Sequence, residues 1–84
     1  MGALTCLTAI VLINTEAGSE IEVLKEVKKV EGIDEAWTVY GVYDIVARVK
    51  ADTMNNLKEI ISLRIRRLAG VWSTLTMIIV EEKV

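Results

Sequence analysis

The chain has 84 residues and a net charge of −2, which is room for one domain spanning 1–84 and a poor match to the basic surface that nucleic acid requires. Apolar residues make up 52% of it and the mean hydropathy is +0.41; a domain this small cannot bury that much in its own core, so the surplus predicts self-association. With no histidine and one cysteine, the commonest general base and the usual zinc or iron ligand sets are missing, so catalytic residues, a metal and a cofactor are not expected.

Leu4–Ile13 is β-branched and aliphatic with threonines interleaved, a pattern that predicts the first strand. Both faces are apolar, with Cys6, Ile10 and Leu12 on one and Leu7, Val11 and Ile13 on the other, as in a sheet covered on both sides. The run from Ala3 lacks a basic leader and is too short to cross a membrane, so a soluble cytoplasmic protein is expected. Cys6 fits a buried, inert thiol in a reducing compartment.

Ser19 and Glu22 have the spacing of a capping box. Behind them Val23, Leu24, Val27 and Val30 share one helical face, Lys28 and Lys29 suit the negative end of the helix dipole, and Gly32 suits the C′ position. Ile33–Tyr40 reads as a second strand, with Ile33, Trp37 and Val39 spaced by twos. Gly41-Val42 fits a two-residue type II′ turn into a short third strand, Ile45–Val49. Asp52 or Thr53 caps a second helix with a stripe of Met54, Leu57, Ile61 and Leu68, and Gly70 leads into a last strand, Val71–Val80. Glu81-Glu82-Lys83 reads as a solvated tail.

The order is β-α-β-β-α-β, and the halves repeat. Val30-Glu31-Gly32-Ile33 leaves the first helix as Leu68-Ala69-Gly70-Val71 leaves the second. This symmetry predicts an α+β, ferredoxin-like sandwich: a four-stranded antiparallel sheet with two helices on one face. The other face is left open and apolar, and such a face calls for a partner.

Three strings then carry a resemblance: Glu31-Gly32-Ile33, Val39-Tyr40-Gly41-Val42-Tyr43-Asp44, and Gly70-Val71-Trp72-Ser73-Thr74-Leu75-Thr76. Together they resemble the effector domain of the Lrp/AsnC (feast/famine) transcription regulators, the RAM module, over nearly the whole chain. The resemblance implies dimers formed through the sheets, dimers joined into a ring, and small effectors, typically amino acids, bound between dimers near the glycine hairpin. It implies that Gly41, Val42, Tyr43 and Asp44 face the ligand, with Thr74 and Thr76 close to the same pocket. A zwitterion needs an anion for its ammonium and donors for its carboxylate. Asp44 could supply the first; hairpin N–H groups and threonine hydroxyls could supply the second. Val42, Tyr43 and Leu75 would form an apolar rim. Full regulators carry a helix-turn-helix ahead of this domain, whereas this sequence starts at the first strand. The expectation is a stand-alone module without DNA binding of its own, which senses, buffers or co-assembles with a full-length Lrp/AsnC relative.

Plainer readings stand beside these. Asp44 could instead make a structural hydrogen bond that pins the hairpin. Arg64, Arg66 and Arg67 fit a solvated helix end or contacts between protomers better than a phosphate patch, and Trp37 and Trp72 fit core or interface packing. Asp34-Glu35 fits an exposed turn or strand edge. A dimeric α/β-barrel enzyme of monooxygenase or isomerase type shares the topology but leans on a histidine or a cofactor. An assembly-only scaffold, or an ACT-type domain using Gly18, are the remaining alternatives.

Overall fold

The structure is a computed structural model that describes residues 7–80. It contains β1 (Leu7–Thr15), α1 (Glu20–Lys28), β2 (Ile33–Thr38), β3 (Ile45–Ala51), α2 (Met54–Glu59), a π-helical continuation of α2 (Ile60–Ile65), and β4 (Val71–Ile78). The strands form one sheet in the order β2-β3-β1-β4, every neighbouring pair antiparallel. This is the ferredoxin-like arrangement expected from the internal repeat. Cys6 and the Glu81–Lys83 tail lie outside the described residues.

Strand alternation sorts the side chains of β1. Ala9, Val11 and Ile13 are fully buried beneath the helices, facing Val49, Ala47 and Ile45 of β3. Val23 and Val27 of α1 close the core from above, as do Leu57, Ile61 and Ile65 of the second helix. On the other side of the sheet no helix packs among the described residues. Ile10 and Leu12 of β1 sit there between Arg48 and Val46 on one flank and Met77 and Leu75 on the other. Leu75 and Met77 are each nearly half exposed.

Several local expectations fail, each for a physical reason. Ser19 is the N-cap of α1 but makes no side-chain cap bond, so the capping box does not form; Glu20 Oε2 instead accepts from Gly18 N–H at 3.3 Å. α1 ends at Lys28 with Lys29 as its C-cap, so Gly32 lies past the C′ position. There Gly32 adopts φ +103, and a Cβ would stand 2.5 Å from Ile60 Cδ1, so the residue serves a close approach to the second helix. Ile65 joins the second-helix core stripe, whereas Met54 is 40% exposed. The last turns are π-helical, with Arg66 N–H donating to Ile61 O at 3.0 Å.

The second strand departs most. Its pairing shifts between Ile33 and Glu35, so that Asp34 is an extra residue opposite Val49 and Arg48. A bulge of this kind reverses the phase of alternation. Ile33 and Ala36 therefore both reach the core side, and Trp37, opposite Val46, points to the open face at 41% exposure. Trp72 is 74% exposed, so neither tryptophan packs in this chain's core. β4 bulges at the matching place, between its pairs Thr15–Val71 and Asn14–Ser73.

Candidate functional site

The connection between β2 and β3 runs over residues 39–44, wider than a two-residue loop. Val39 N–H donates to Asp44 O at 2.9 Å across its neck. Gly41 does not take the positive φ that a type II′ turn demands, and a Cβ there would meet nothing within 4 Å. The tip stands in solvent: Tyr40 is fully exposed and Val42 is 85% exposed.

Asp44 closes the loop and belongs to the sheet's end. Its N–H donates to Ile13 O at 3.0 Å. Its Oδ2 accepts from the Thr15 N–H at 2.8 Å and from the Thr15 hydroxyl at 3.3 Å. Thr15 is a buried polar residue at the last position of β1, where the ladder leaves its N–H in need of an acceptor. The carboxylate thus pins the hairpin to β1, the structural role weighed for it above. Among the described residues no protein hydrogen bond reaches its other oxygen, Oδ1.

Thr74 and Thr76 lie elsewhere. They pair with Ile13 and Val11 on the helix side of β4, with Ile78 following, and look across a gap toward the second helix. The gap is a groove of about 300 Å³. Leu57, Ile61, Met54 and Ile78 give it an apolar floor and end; Ser62, Thr74 and Thr76 bring hydroxyls; Lys58 and Arg66 bring cations. Gly41, Val42 and Tyr43 do not line it. β1 stands between β3, which the hairpin feeds, and β4, which carries the threonines, a lateral offset of roughly 10 Å at strand spacing. Leu75, expected beside the threonines, turns to the opposite face and pairs with Leu12, because successive strand residues alternate sides.

Lys58, Ser62 and Arg66 were not singled out as a set from the sequence. Their signal was spacing: each follows the last by four residues, one row along the helix, beside the buried row Leu57, Ile61, Ile65. A second, larger hollow of about 690 Å³ lies near the start of β2, between Gly32, Lys50 and Asn56 and the charged Glu59 and Arg64. On the open face Arg48 binds Asp34 at 2.7 Å and Glu35 at 2.8 Å, and its guanidinium lies 5.7 Å from the Trp37 ring centroid. Hydrogen bonding from Arg48 holds the Asp34 carboxyl below its ordinary range, and the Arg48 pKa is raised in turn. No group of carboxylate and thiol ligands fit for a metal occurs among the described residues. Nor is any helix among them long and apolar enough to cross a membrane.

A four-stranded antiparallel sheet with two helices on one side, in the order β-α-β-β-α-β, defines a small ferredoxin-like domain. The family model described as the Lrp/AsnC ligand binding domain matches residues 8–84. The chain belongs to the Lrp/AsnC family. An uncharacterised HTH-type transcriptional regulator of Pyrococcus furiosus is 32% identical over 74 residues, which is 84% of this chain and 49% of that protein. The chain spans about half the length of the curated relatives it matches. Among solved structures, FFRP-DM1 is 36% identical with a TM-score of 0.84, covering 88% of this chain and 99% of that one. A hypothetical protein from Pyrococcus horikoshii is 37% identical with a TM-score of 0.83, covering 90% and 92%.

Proposed function

We propose that the chain is a non-catalytic oligomeric module that binds an amino-acid effector between dimers and serves amino-acid-responsive transcriptional regulation. Family membership supports the effector-binding part. What supports the rest is the separation, within one protomer, of the glycine hairpin from the threonine groove. The hairpin offers an anion, Asp44 Oδ1, with the backbone N–H groups of Gly41, Val42 and Tyr43. The groove offers the Thr74 and Thr76 hydroxyls together with an apolar floor. A zwitterion needs both chemistries at once. A second copy that brings its hairpin to this groove would complete the set. The uncovered face of Ile10, Leu12, Leu75 and Met77 supports association through the sheets. In the cell, the partner for signalling would be a full-length Lrp/AsnC relative.

The test is a thermal-shift screen against the twenty amino acids. At a hundred times the dissociation constant a ligand stabilises by about 2.7 kcal/mol, which in a domain of this size raises Tm by on the order of ten degrees. At least one amino acid should do so. A flat response to all twenty at millimolar concentration would leave an assembly-only scaffold as the better reading.

A further inference from the structure

The groove between the second helix and β4 carries more positive charge than an ordinary zwitterion requires. Lys58 and Arg66 stand in one row with Ser62, facing the hydroxyls of Thr74 and Thr76. Among the described residues no carboxylate lines this groove. Neither cation makes an ion pair among the described residues, whereas Arg48 and Lys50 on the open face are matched to Asp34 and Glu35. The chain as a whole is acidic, so this local excess is not a reflection of overall composition. One effector carboxylate can be served by threonine hydroxyls and one cation. The second cation is then left for a second anion. A neutral or apolar effector side chain would lie over the Leu57 and Ile61 floor and gain nothing from it.

We infer that the groove selects an effector with two carboxylates, which makes the ligand an acidic amino acid, glutamate or aspartate. This deepens the proposed function and rests on it: the α-ammonium still goes to the hairpin aspartate of a neighbouring copy. Arg66, with its planar fork of donors, suits a carboxylate held in two places; Lys58 acts as a point charge. Both are specificity-determining residues by this reading, and both are exposed, so replacing them should leave the fold intact.

The experiment is calorimetric titration of glutamate, aspartate, glutamine, asparagine and leucine into the full chain, and into Arg66→Gln and Lys58→Gln. Circular dichroism and gel filtration confirm that each variant keeps its fold and assembly state. The expected result is that one acidic amino acid binds at least tenfold more tightly than its amide. Arg66→Gln should weaken that acid by roughly tenfold to a hundredfold, the usual range for a lost charge-assisted hydrogen bond, while amide binding stays within a few-fold. Glutamine, asparagine or leucine binding as tightly as the acids would overturn the inference and leave the amino-acid reading standing. Failure of all five to bind would overturn the inference, and only a flat response to all twenty in the thermal-shift screen would bring down the proposed function as well. Should Arg66→Gln misfold, Lys58→Gln carries the same comparison.

Discussion

At the scale of the residue, Asp44 carries the hairpin's structural role and Gly41 does not. Asp44 satisfies a buried threonine N–H and hydroxyl at the end of β1. Removing the acceptor with Asp44→Ala should cost about 1–3 kcal/mol in ligand-free protein, the penalty for stranding a donor away from water. Urea denaturation measures it; a loss below 0.5 kcal/mol, within the usual scatter for surface changes, would show that the pin carries no stability. Gly41 has neither a positive φ nor a neighbour for a Cβ to strike. Gly41→Ala should therefore stay within about 0.5 kcal/mol of the wild type. Gly32→Ala should cost more than 1 kcal/mol, from the strained φ together with the contact to Ile60. The sequence shows four glycines at the joints of elements, Gly18, Gly32, Gly41 and Gly70, and the repeat around Gly32 and Gly70 marks two of them as equivalent. At Gly32 and Gly70 a positive φ coincides with a close approach from the opposite half of the fold: Ile60 to Gly32, and Val23 to Gly70 at 2.9 Å from the missing Cβ. No local string records that approach.

At the scale of the element, the face of the first helix and the order of the elements were legible because they follow from hydrophobic periodicity and from the repeated helix-to-strand joint. The phase of β2 was not. Ile33, Trp37 and Val39 look like one face until Asp34 is inserted as a bulge, and that bulge is held by Arg48 from the neighbouring strand. The same blindness hid the row Lys58, Ser62, Arg66, whose meaning depends on β4 lying opposite. The bulge has a pH signature. Asp34 titrates below its ordinary value because of its bond from Arg48, so its stabilising contribution is complete at neutral pH. That contribution is lost as pH falls through the depressed pKa, below about pH 4. Asp34→Asn should remove this part of the acid dependence, giving a flatter curve of Tm against pH below 4 and a lower Tm at pH 7. An unchanged curve would mean that the Asp34–Arg48 pair is energetically idle.

At the scale of the whole molecule, one protomer presents an apolar sheet face and, in the proposed reading, a pair of separated half-sites. The apolar surplus in the composition made the first legible. The second was hidden, because the resemblance placed all six residues near one ligand without saying from which copy each came. The central claim is that effector binding depends on assembly. It is tested most directly by calorimetric titration of the amino acids into the wild-type chain and into Leu75→Asp. That change places a charge on the open face, opposite Leu12, with the side chain on the side of the sheet away from Thr74 and Thr76. The wild type should bind an amino acid while sedimenting well above 9.3 kDa. Leu75→Asp, folded by circular dichroism but sedimenting as a monomer, should release no binding heat. A folded monomer that binds the amino acid as tightly as the wild type would contradict the account.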